Sequence, residues 1–108
     1  MSLKVHLTAG AVRDLENIHE HTTDYRSPRE ADQVLDKFEK IFQTLKAQPE
    51  RGRHPPELLD LGILEYRELI SAPYRLVYRA EGNDVYVIVI ADGRRDMQSL
   101  LSRRLLEP

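Results

Sequence analysis

The sequence contains no cysteine, which excludes a disulfide framework, a thiolate nucleophile and a zinc finger. Four histidines, His6, His19, His21 and His54, are scattered without metal-ligand spacing, so neither a metal nor a cofactor is expected. His19 and His21 stand two apart on a predicted helix, where their rings would point to different faces and stay solvated. No apolar run approaches the roughly 20 residues needed to cross a bilayer, and no stretch reads as a signal peptide. A cytoplasmic protein without a membrane partner is therefore expected. Lysine is missing from residues 51–108; Lys4, Lys37, Lys40 and Lys46 all lie in the first half, which leaves arginine as the strong base of the second. Arginine suits forked hydrogen bonds and stacking. The asymmetry suggests a recognition surface in the second half, although compositional chance accounts for it as readily.

At 108 residues, with 41% hydrophobic and 31% charged side chains, the chain is expected to form one globular domain over residues 1–108. A net charge of −2 argues against indiscriminate nucleic-acid binding, and no direct sequence-specific nucleic-acid contact is expected. Repeats and low-complexity tracts are absent.

Residues Leu3 to Leu7 alternate as a short half-buried strand does. After Thr8, a potential cap, Val12, Leu15, Ile18, Thr22 and Tyr25 trace one helical stripe, with Arg13, Asp14, Glu16 and Glu20 assigned to the polar surface. Ser27, Pro28 and Glu30 form a capping box that starts a second helix. Its apolar face is Ala31, Val34, Leu35, Phe38, Ile41, Phe42 and Leu45, and Pro49 and Gly52 end it. Residues 49–62 are rich in proline and glycine and read as a loop. Three strands follow, Leu64 to Ile70, Tyr74 to Ala80 and Val85 to Ala91, the last two joined at Gly82 and Asn83. The continuous run in the third marks a central strand covered on both faces. Asp96 caps a final short helix that returns Met97, Leu100, Leu101 and Leu105 to the core. The predicted fold is α+β: an N-terminal strand, an antiparallel helix hairpin packed on an antiparallel β-sheet, and a short C-terminal helix.

Alternation in residues 74–79 puts Tyr74, Leu76 and Tyr78 on one face and Arg75, Val77 and Arg79 on the other. With Arg67 on the preceding strand and Arg94 and Arg95 after the last, antiparallel pairing could gather several guanidiniums at one face or end of the sheet. Glu65 and Glu68 are candidate partners, and cross-strand ion pairs on a solvated face remain the competing reading.

The composite of Arg67-Glu68-Leu69 within the stretch from Glu65, then Tyr74 to Arg79, then a hydrophobic strand ending in Gly93-Arg94-Arg95-Asp96, resembles the RelE/ParE superfamily of bacterial type II toxins. Nearly the whole chain shares the layout. One branch of that superfamily cuts messenger RNA on the ribosome; the other poisons DNA gyrase by protein contact. For the nuclease branch the resemblance implies Arg67, Arg75 and Arg95 as a phosphate clamp. The tyrosine or histidine that this branch carries near the C-terminus is replaced here by Leu100, Leu101 and Ser102. Arginine, with a pKa above about 12, is a poor proton carrier, and His54 would substitute only if its loop folded back. The resemblance to the ParE branch therefore implies no catalytic residue. It implies a gyrase inhibitor neutralised by a ParD-like antitoxin in a toxin-antitoxin hetero-oligomer, with Arg67, Arg75, Arg79, Arg94 and Arg95 as contact residues. Leu15, Ile18 and Tyr25 are candidates for a groove that receives the antitoxin. The alternatives are a ribosome-dependent endoribonuclease and a non-toxic relative that retains antitoxin binding.

Overall fold

The computed structural model describes residues 3–106, so residues 1–2 and 107–108 of the expected domain lie outside the described residues. The chain runs β1 (Lys4–Leu7), α1 (Ala9–Tyr25), α2 (Pro28–Ala47), α3 (Pro56–Leu59), β2 (Tyr66–Ser71), β3 (Tyr74–Glu81), β4 (Asp84–Asp92) and α4 (Met97–Leu105). This is the expected α+β order with one addition: a turn of helix, α3, inside the segment read as loop. Pro56 at its first position explains it, because a missing N–H costs nothing there and the ring presets φ. The turn ends in a Schellman motif, with Ile63 N–H donating to Leu58 O at 3.0 Å, Gly62 N–H donating to Leu59 O at 2.9 Å and Gly62 at φ 75°. The other helices start where side-chain caps were expected, as Thr8, Ser27 and Asp96 accept from Ala11, Glu30 and Ser99 N–H.

Strand order is β1-β4-β3-β2. The β2-β3-β4 meander is antiparallel, but β1 pairs with β4 in parallel, so the sheet is mixed rather than wholly antiparallel. The long connection through the helix hairpin and the meander supplies the crossover that a parallel pair requires. Opposite Val77 and Tyr78 the register jumps from Val89 to Val87, leaving Ile88 as a bulge in β4. One face packs Leu76, Tyr78, Val85, Val87 and Ile90 against Phe38, Leu45 and Ala11 of the hairpin. The other packs Val77, Val89 and Ala91 against Leu58 of α3 and Met97, Leu100 and Leu101 of α4. The continuous apolar run of β4 thus reports a central strand with two buried faces. No helix among the described residues is long and apolar enough to cross a membrane.

On α1 the stripe read from sequence needs correction. Asp14, assigned to the polar surface, is 7% exposed, whereas Val12 and Tyr25 are 41% and 77% exposed. The cause lies in β4. Past Leu7 no strand among the described residues continues along its β1 side, and side chains take over the backbone groups there. Thr8 Oγ1 donates to Val87 O at 3.0 Å, Arg104 Nη1 donates to Ile88 O at 2.9 Å, and Asp14 Oδ2 accepts from Ile90 N at 3.0 Å. Arg104 also grips Asp14 in a two-pronged ion pair at 2.6 and 2.8 Å. Gly10 makes room, since a Cβ there would stand 2.8 Å from Arg104 Nη1.

Removing one partner of a buried pair costs about 3–5 kcal/mol, because the other charge is left stranded. Arg104→Met is therefore expected to lower the unfolding free energy in urea by about that amount. A loss below about 1 kcal/mol, the scale of an ordinary exposed pair, would contradict this role.

Candidate functional site

Arg75 stands on β3 one diagonal step from Glu68, because the register pairs Glu68 with Val77 and Ile70 with Arg75. Its Nε donates to Glu68 Oε1 at 2.7 Å, while Nη1 and Nη2 donate to the two carboxylate oxygens of Glu57 at 2.9 and 2.7 Å. The second oxygen of Glu68 accepts from Arg53 Nε at 2.7 Å. The Glu68 side chain is fully buried and Arg75 is 12% exposed. Four alternating charges therefore bind α3 and the preceding loop to the sheet. Hydrogen bonds that Arg75 donates to Glu57 and then to Glu68 raise its pKa further above the ordinary arginine value, against the opposing effect of burial. The hydrogen bond from Arg75 is likewise the main cause holding the Glu57 carboxyl below its usual range.

The loop is fixed from beneath as well. Arg53 N–H and O pair with Glu68 O and N–H at 3.1 and 2.7 Å, covering part of the β2 edge. Tyr78 donates its hydroxyl to Pro49 O at 2.6 Å and accepts from Gly52 N–H at 2.9 Å. Burial pushes the Tyr78 phenol above its ordinary pKa. A Cβ on Gly52 would come within 2.6 Å of Glu68 O and 2.7 Å of the Tyr78 hydroxyl, so glycine is what permits the close approach. His54 sits with Nδ1 3.1 Å from Tyr66 O, on the same edge.

The sheet does not gather the arginines in one place. Arg67, paired with Tyr78 in register and sharing a face with Leu69, lies on the hairpin side, where Nη1 donates to Gly52 O at 2.9 Å. Arg75 lies on the opposite face, so the clamp of Arg67, Arg75 and Arg95 is not assembled. Arg79 shares the Arg75 face but pairs with Glu81 at 2.9 Å and lies 5.8 Å from the Tyr86 ring. Arg94 is 89% exposed at its side chain and is held by Asp92, with Nε and Nη2 at 3.1 and 3.0 Å from the carboxylate. That contact lowers the Asp92 pKa. Asp96 caps α4 as expected, with its two oxygens accepting from Ser99 N–H and Oγ at 3.1 and 2.8 Å.

Arg95 borders a depression of about 350 Å³ with Ile18, His21 and Tyr74. An adjoining cleft of about 420 Å³ is walled by Tyr25, Arg26, Lys37, Tyr74 and Arg94. Ile18, Tyr25, Arg94 and Arg95 are thus brought to one end of the molecule. Leu15 is not: it lies with Leu7, Val12 and Leu35 in a separate groove flanked by Glu16 and Glu20. Sequence reasoning missed Glu57 and Asp14 as partners. It named Glu68 as a cross-strand acid, and the signal that selects it over Glu65 is its diagonal position to Arg75.

A two-helix hairpin on one face of this sheet and a short C-terminal helix on the other give the α+β fold of chains from two solved toxin-antitoxin structures. A chain of the structure titled chromosomal ParDE TA system from P. aeruginosa superposes with a TM-score of 0.69 at 19% identity, over 84% of this chain and 96% of that one. A chain of the toxin-antitoxin complex RelBE2 from Mycobacterium tuberculosis gives 0.59 at 23% identity, over 85% and 99%. At the level of sequence, Toxin ParE3 of Caulobacter vibrioides is 28% identical over 91 residues, spanning 84% of this chain and 87% of that protein. Residues 5–97 match the family described as ParE toxin of type II toxin-antitoxin system, parDE, and the chain belongs to that family.

Because the folded pKa of Glu57 is depressed, its contribution to stability is complete above the usual 4.5 and is lost as pH falls through the lower folded value. Glu57→Gln is expected to lower the melting temperature at pH 7 and to converge on the parent protein as melts are taken towards pH 3. A gap that stays constant across this range would contradict the ion-pair assignment.

Proposed function

We propose that this ParE-family toxin acts by protein contact on DNA gyrase, cuts no RNA, and is neutralised by a ParD-like antitoxin in the cytoplasm. The observation that carries the reading is the state of Arg75. A phosphate oxygen approaching its guanidinium must displace the Glu57 carboxylate while facing Glu68, which is buried and fixed. Two like charges at a partly dry site repel strongly, so the arrangement opposes anion binding. Where the nuclease branch of the resemblance carries a proton-transferring side chain, Leu100 and Leu101 are packed in the core at 4% and 1% exposure. Neither can exchange a proton with a substrate.

The likeness to a chain of the chromosomal ParDE system from P. aeruginosa supports the kind of antitoxin. A segment that folds on binding would find concave surface and positive charge at the end of the hairpin, where Ile18 and Tyr25 adjoin Arg94 and Arg95. Arg95 and Arg94 are the contact arginines best placed for it.

Purified toxin is expected to block supercoiling by purified gyrase at near-stoichiometric amounts, to lose that effect when the antitoxin encoded beside it is added, and to leave mRNA intact on translating ribosomes. Codon-linked cleavage with supercoiling untouched would overturn the reading in favour of the nuclease.

A further inference from the structure

Most of the candidate contact arginines are engaged within the chain: Arg75 with Glu57 and Glu68, Arg79 with Glu81, Arg94 with Asp92 and Arg67 with the Gly52 carbonyl. What the fold leaves open is leucine. Leu59, Leu61 and Leu64 are 47%, 62% and 56% exposed in one short turn. Their backbone is not loose. Glu57 is clamped by Arg75, Leu58 is 3% exposed in the second core, Ile63 packs beside it, and the Schellman bonds close the turn between them. Gly62 stands in open space. Apolar side chains held outward on a pre-ordered turn lose little further entropy on docking, which is the economy of a binding hot spot.

Shape and charge narrow the partner. A convex turn requires a concavity that already exists in a folded protein, whereas a segment that folds on binding needs a concavity on this chain. Residues 55–65 carry Glu57, Asp60 and Glu65 and no basic residue, and Asp60 and Glu65 are exposed beside the leucines. The complementary surface has an apolar floor and a rim of lysine or arginine.

We propose that the turn bearing Leu59, Leu61 and Leu64 is the toxin's docking element for its target protein, seating these side chains in an apolar groove edged by basic residues. The proposal rests on the reading that the target is gyrase.

The test compares the full-length parent with the double variant L61S/L64S and with D60K/E65K. Both variants are expected to keep the parental melting temperature, sedimentation behaviour and affinity for the ParD-like antitoxin. L61S/L64S is expected to need about tenfold or more protein to inhibit supercoiling, and D60K/E65K to bind immobilised gyrase with a slower, less salt-dependent association. If the parent inhibits gyrase and L61S/L64S inhibits it equally, the docking assignment is wrong while the gyrase reading stands. Loss of antitoxin affinity in L61S/L64S, or self-association of the parent that this variant abolishes, would reassign the turn to the antitoxin or to a second copy. A parent that leaves gyrase both unbound and active removes the underlying reading, and the docking assignment with it.

Discussion

A carboxylate with no exposed surface, that of Glu68, sits between two arginines at 2.7 Å each. Isolated in a protein interior it would cost several kcal/mol. Flanked by Arg53 and Arg75, and with Glu57 completing the Arg75 guanidinium, it becomes the point through which three segments are joined: the loop after α2, the short helix α3 and the β2-β3 hairpin. The position of α3 fixes where its Schellman turn projects. Gly52 and Tyr78 follow from the same requirement, since the loop must lie flat against β2 for Arg53 to reach.

The far side of the sheet solves a similar problem with similar means. β1 covers only Asp84 to Val87 of β4, and the exposed backbone beyond is satisfied by Thr8, Asp14 and Arg104 instead of by a strand. An open strand edge is a template for unwanted pairing. Here side-chain charge guards both margins: the Asp14–Arg104 pair at β4, and Arg53 with its backbone bridge at β2. Much of the charge in this family member therefore serves the sheet.

Local rules were sufficient for the helix caps at Thr8, Ser27 and Asp96, for the apolar face of α2 and for the two-sided burial of β4, because each depends on residues within a turn or two of one another. They misplaced Asp14, whose burial depends on the Ile90 N–H 76 residues away and on Arg104 at the other end of the chain. They also left α3 unassigned, since a four-residue helix opened by proline carries no helical period. Of the candidate site, the acid opposite Arg75 was legible as a cross-strand option. The bidentate grip of Glu57 was not, because it depends on how the loop closes. The separation of Arg67 from Arg75 follows from alternation once register is known, and register is what a sequence of short strands does not state.

The claim on which the functional account turns is that Arg75 is a tie within the protein and is closed to anions. The side-chain Nε–H of Arg75, observed by proton–nitrogen NMR, tests it most directly. It is expected to exchange slowly with water and to keep its chemical shift when inorganic phosphate or a short single-stranded RNA is added to saturation. A fast-exchanging Nε–H, or one whose shift titrates with either ligand, would contradict the account and return Arg75 to the role of a phosphate clamp.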